Sequence, residues 1–224
     1  MTEHIEGLDQ QQIDTIIDEC RSNSNESFLF IPGIEMDCFF IYFLGIDYTP
    51  VDFTTNHTIF DSLRQRAKMC IFSHPVKAKY CYPQWLVDSC DGIEVLNTKH
   101  DGEHYLRPQS EKLYKQIKKL HPHIAALAGM DFHSRKNYTS VRLCLEKPGP
   151  LTEEFILDSL QHNQFSIIKN DIPLSTYGFV KRNIAKLRIH AMDLAHNIHK
   201  KIHDAGITVP SRLKSKIRRL MEGH

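Results

Sequence analysis

The feature that most constrains this chain is an alternation of short apolar runs with helical stripes, continuing from Ile13 to Ile168. Apolar residues at 13, 16, 17 and 20 make one helical face. Further helices are expected over Ile59–Lys68, Glu111–Leu120 and Thr152–Gln161, the last with Thr152 as N-cap and acids in its first turn, and a helical turn over Gln84–Ser89. Between them Ser27–Ile34, Phe39–Ile46, Met69–Phe72, Gly92–Leu96, Ile124–Ala128, Val141–Glu146 and Phe165–Ile168 read as strands. Apolar strands separated by helices predict a parallel sheet covered on both faces. Several strand ends carry polar residues: Glu35, His74, Asn97, Asp131 and His133. In a barrel of parallel strands the carboxyl ends gather on one face, where catalysis sits. An enzyme is therefore the leading class.

Composition narrows the setting. A chain that is 41% hydrophobic and 25% charged falls in the soluble globular range. The longest apolar run, Cys38–Leu44, is far short of the roughly 20 residues that cross a bilayer. The polar, acidic N-terminus has no apolar stretch of a secretory signal, and the six cysteines form no CxxC pair. A reducing cytoplasm is the expected location. The net charge of +1 conceals a split. Residues 179–224 hold 11 basic against three acidic side chains, leaving the rest of the chain at −7. Two regions are expected, 1–178 and a basic helical tail over 179–224.

His4, Glu35, His74, Asp131 and His133 are imidazole and carboxylate donors of the kind that suits zinc, manganese or iron. Asp131-Phe132-His133 is the sharpest piece, because alternation at a strand end puts residues i and i+2 on the same side.

Five short motifs occur in a fixed order: Thr2-Glu3-His4, Pro32-Gly33-Ile34-Glu35, Ser73-His74-Pro75, Gly92-Ile93-Glu94-Val95-Leu96-Asn97 and Gly129-Met130-Asp131-Phe132-His133. Together they resemble the polymerase-and-histidinol-phosphatase (PHP) family over residues 1–170. The resemblance implies a distorted (β/α)7 barrel of the TIM type that hydrolyses phosphoesters with up to three metal ions. It implies that Glu35 bridges two ions, Asp131 binds the first, His74 the second, and His4 with His133 the third. Clustered cations polarise phosphoryl oxygens and lower the pKa of a water, so no covalent nucleophile is needed. Asp131 and His133 are then the candidate catalytic pair. Arg135, just past the strand end, and Asn97 are the candidate substrate contacts. A phosphorylated small molecule or an oligonucleotide is the expected substrate.

Two departures qualify the resemblance. The family opens with a strand bearing H-x-H, for which Met1 leaves no room, so the barrel is expected to be incomplete at its N-terminus and Met1 internal to a longer protein. Tyr42 stands near where a further ligand histidine is usual. A catalytically impaired barrel acting as an interaction module is therefore an alternative. A metal-dependent amidohydrolase is disfavoured, because that class usually needs a bridging strand lysine.

The remaining polar residues read more plainly. His100 and His104 are expected to be solvated loop histidines, and His121 and His123 surface residues. Lys77, Lys79 and Arg107 are further candidate phosphate contacts. Apolar positions 180, 184, 187, 191, 194, 198 and 202 predict one stripe on a long helix in the tail. Its histidines at 190, 196, 199 and 203 read as a solvated face. The tail could contact nucleic acid or an acidic surface, although no aromatic residue follows Phe179 to stack on bases.

Overall fold

A computed structural model describes residues 2–101, 106–170 and 172–174, together with 191, 194, 197, 198, 201, 202 and 204. It divides the chain into two units, Met1–Thr176 and Tyr177–His224. In the second unit the described residues are helical, with Leu194 and Ile198 exposed. The tail histidines, its basic side chains other than Lys201, and His104 lie outside the described residues. Among the described residues no helix is long and apolar enough to cross a membrane.

The first unit is built on a six-stranded sheet whose spatial order follows the chain: β1 (Thr2–His4), β2 (Gly33–Met36), β3 (Ile41–Leu44), β4 (Met69–Phe72), β5 (Gly92–Asn97) and β6 (Ala125–Gly129). β1 and β2 pair in parallel, as do β4 with β5 and β5 with β6. β3 runs antiparallel to both of its neighbours. The structure thus corrects the (β/α)7 barrel expected from the family resemblance: this is a mixed α/β sheet. The physical cause lies in the connections. A parallel crossover needs about a dozen residues or more, but only Asp37–Phe40 separate β2 from β3. That length makes a hairpin and reverses β3. The later strands do not extend the sheet either. β7 (Arg142–Leu145), β8 (Phe165–Lys169) and β9 (Ile172–Pro173) form a separate antiparallel sheet.

The helices begin where local chemistry allows. α1 (Gln10–Ser22) starts at a reciprocal Asp9–Gln12 capping box, and α2 (Asn56–Arg66) at one between Thr55 and Thr58. α3 (Gln84–Asp88) and α4 (Thr98–Asp101) are short, and α5 (Pro108–Leu120) opens with proline in its first turn. Thr152 accepts a hydrogen bond from the Phe155 N–H at the start of α6 (Glu153–Gln161).

Alternation gives the sheet two different faces. Ile34, Met36, Ile41, Phe43, Cys70, Phe72, Ile93 and Val95 pack with Ile13 and Ile17 of α1, Phe60 and Leu63 of α2, Leu86 of α3 and Leu113 and Ile117 of α5. The other face carries Met69, Ile71, Ala125 and Leu127, which pack with Leu157 and Leu160 of α6. The same alternation puts Glu35, Tyr42 and Glu94 on this second face, displaced toward the edge where β1, β2, β4, β5 and β6 end. Because β3 is reversed, Tyr42 near its start lies at that edge as well.

Candidate metal centre

Each site residue is placed by a strand end. His4 closes β1 and stands in register with Glu35 of β2. His74 and Asp131 each lie two residues beyond their strands, β4 and β6. Both have left-handed backbones, with φ of 46° and 47°. For residues other than glycine such a conformation costs about 1–3 kcal/mol and persists only where its surroundings enforce it. At His74 the enforcement is visible. Its N–H donates to Glu94 Oε2 at 3.0 Å, and its carbonyl accepts from the Lys77 and Ala78 N–H groups at 2.8 and 3.1 Å. Gly129 contributes by lacking a side chain, since a Cβ there would collide with the Glu94 carboxylate.

His74 is the centre of the arrangement and is fully enclosed. Its Nδ1 lies 2.8 Å from Glu94 Oε2, and its Nε2 lies 3.2 Å from Glu35 Oε1 and 2.7 Å from Tyr42 Oη. Asp131 Oδ2 is 3.9 Å from the same Nε2, and is met at 2.9 Å by both His100 Nε2 and Lys99 Nζ. Asp131 Oδ1 lies 2.9 Å from His133 Nδ1. At the rim, His4 Nδ1 is 3.1 Å from Asp37 Oδ2, and His4 Nε2 is 3.9 Å from Glu35 Oε2. The two oxygens of Glu35 therefore face different histidines.

These contacts set the charge states. Burial alone would lower the His74 pKa, but hydrogen bonds to Glu35 and Glu94 and their negative charges outweigh it and raise the imidazole to about 9. Burial, with the neighbouring His74 charge, pushes His100 below the usual histidine value. Burial would raise Asp131, yet the Lys99 hydrogen bond and the His74 charge hold it below the usual carboxylate range. Burial and the surrounding carboxylates push the Tyr42 phenol far up, so it remains a neutral hydroxyl.

Two sets of donor atoms occur, the atoms of each lying within 4.8 Å of one another: His74, His100 and Asp131 inside, and His4, Glu35 and Asp37 at the rim. Tetrahedral bonds of about 2.0–2.2 Å to an ion place its ligand atoms about 3.3–3.6 Å apart. The 2.9 and 3.9 Å separations around Asp131 Oδ2 fall on either side of that spacing, so small side-chain shifts would be needed to seat an ion. Two imidazoles with one carboxylate suit zinc, manganese or iron, so the residues fit a divalent ion.

Of the residues picked from sequence, the structure brings together His4, Glu35, His74 and Asp131, with His133 against Asp131 and half-exposed. Arg135 is exposed in a 3-10 turn, Arg135–Asn137, just beyond. Asn97 is fully buried. Its Nδ2 donates to both oxygens of Glu94 at 3.1 and 3.0 Å, and its Oδ1 accepts from the Lys99 and His100 N–H groups, both at 3.1 Å. It starts α4 and thereby sets His100. Lys77 Nζ is engaged with Asp37 at 3.2 Å, and Arg107 Nε with Asp101 at 3.0 Å. His100, expected to be a solvated loop histidine, instead lies in α4 with its ring turned inward onto Asp131, and Lys99 and Asp37 are site residues that sequence reasoning passes over. The short Asp37–Phe40 connection is the signal for Asp37, since a hairpin returns it beside its own strand. Comparison with family models and with curated proteins finds no match, so the functional case rests on the chain's own residues.

Proposed function

We propose that this chain is a divalent-metal-dependent phosphoesterase of the PHP type, acting on a phosphomonoester or a nucleic-acid phosphodiester. The observation that carries the reading is the convergence of His74, His100 and Asp131 on one point, with Glu35 joining them to His4 and Asp37. In this reading His74, His100 and Asp131 hold one ion of zinc, manganese or iron, and His4, Glu35 and Asp37 a second. Such ions supply Lewis acidity toward a phosphoryl oxygen and a water nucleophile. The protein's own groups do the rest. Glu94 takes the Nδ1–H of His74 and so turns Nε2 toward the centre. Asn97 fixes the turn that carries His100. His133, at the open side of Asp131, is placed to hold or release a proton at Nδ1. Exposed Arg135 offers a guanidinium to anionic oxygens of the substrate.

The test uses the full chain, stripped with a chelator and reloaded with zinc or manganese, on a chromogenic phosphoester. Metal-dependent turnover is expected, and Asp131→Asn should lower it by about 100-fold or more. Metal uptake at Asp131 without hydrolysis of mono- or diesters would overturn the reading. A second reading, a metal-free interaction module, draws on the way Lys99 and His74 already neutralise the carboxylates. A melting temperature indifferent to chelator and to added metal would favour it.

A further inference from the structure

Lys99 stands where a cation is wanted. It belongs to α4, and its Nζ lies 2.9 Å from Asp131 Oδ2, the oxygen that His100 also meets, and 3.2 Å from His133 Nδ1. Asp131 has 6% of its side chain exposed and Lys99 31%, so the ammonium enters from the open side onto a nearly enclosed carboxylate. A divalent ion on Asp131 would share that oxygen with a like charge only a few ångströms away, where repulsion in a partly dry site is strong. The lysine stem is long and has no fixed partner geometry of the guanidinium kind, so the ammonium can leave without disturbing α4. The half-exposed His133 and the exposed Arg135 mark the side to which it would swing.

We infer that Lys99 is the site's internal counter-ion: it occupies Asp131 until metal binds, and is then released to the open side to contact the anionic oxygens of the substrate. The inference rests on the metal-dependent reading above and adds to it a substrate contact that exists only in the loaded protein. Before loading, Lys99 neutralises Asp131 and lessens the cost of an unpaired buried carboxylate. After loading, the same ammonium stands free beside Arg135, so that two cations face an incoming phosphoryl group.

Two measurements on the full chain test this, neither needing turnover. In the first, manganese or zinc is titrated into wild type, Lys99→Met and Lys99→Arg. The Met variant should bind about tenfold more tightly or better, because a competing charge is gone, while the Arg variant stays near wild type. In the second, wild-type protein is labelled with acetic anhydride and Lys99 is followed by mass spectrometry. Its acetylation should rise severalfold on adding metal, as the ion pair opens. Equal affinities in wild type and Lys99→Met, with labelling unchanged by a metal that binds, would overturn the inference while leaving the metal site standing. No binding of either metal by any of the three proteins would overturn the metal reading itself, and the inference with it. On the chromogenic ester, Lys99→Met should lower kcat/KM by about 10- to 100-fold at saturating metal.

Discussion

The two faces of the central sheet come from the same strands and do opposite work. On one, Ile34, Met36, Phe43, Cys70, Phe72 and Ile93 are buried against four helices. On the other, the residues interleaved with them include Glu35, Tyr42 and Glu94, which surround a buried His74. Period-two alternation lets a strand of four residues serve both ends: β2 places Ile34 and Met36 in the core and Glu35 in the site. The apolar face supplies the stability that holds charged groups together on its reverse. Glu35 and Glu94 in turn are held in place because each hangs from a strand whose other side is packed.

Removing mass from the apolar face gives the largest effect. Phe72→Ala should cost about 3–5 kcal/mol in denaturant unfolding. If the faces are separable, metal affinity of the folded protein should change much less than stability does. The polar face responds to pH. A histidine raised from 6.5 to about 9 on folding contributes stability that is fully present below pH 6.5 and is lost as pH climbs through 9. Chelated protein should therefore lose on the order of 3 kcal/mol across that window. Added zinc, which competes with the proton on Nε2, should flatten the profile; a profile unchanged by zinc would separate His74 from the metal. Smallest is Glu94→Gln, which keeps the shape of the His74 partner while removing its charge. Metal affinity should fall about 10- to 100-fold, and the pH window of the chelated protein should move downward, as read by calorimetry and thermal melts.

Much of this was legible in the residues. Met69–Phe72 is a strand with the predicted bounds, and α6 begins after its predicted Thr152 cap, because a short apolar run or a capping hydroxyl acts locally. The direction of β3 was not read, though the four-residue connection to β2 implied it. Phe39 and Phe40 look like the start of a strand, yet they form the turn. Phe39 packs its ring against Phe60 and Trp85, and Phe40 takes a φ of 54°. An apolar turn without glycine or proline hides its own reversal. The site was half legible for a similar reason. Glu35, His74 and Asp131 follow strands and so could be placed. His100 enters only because the Asn97 side chain gathers two backbone N–H groups into a helical turn, a tertiary event with no periodic trace.

The left-handed backbones of His74 and Asp131 bear on how this chain could change over generations. Glycine would sit at either position with less strain, so selection for foldability alone would drift toward it. Retaining imidazole and carboxylate there sets the stability of the chain against its chemistry at two single positions. A selection for thermostability alone would be expected to change those two positions first.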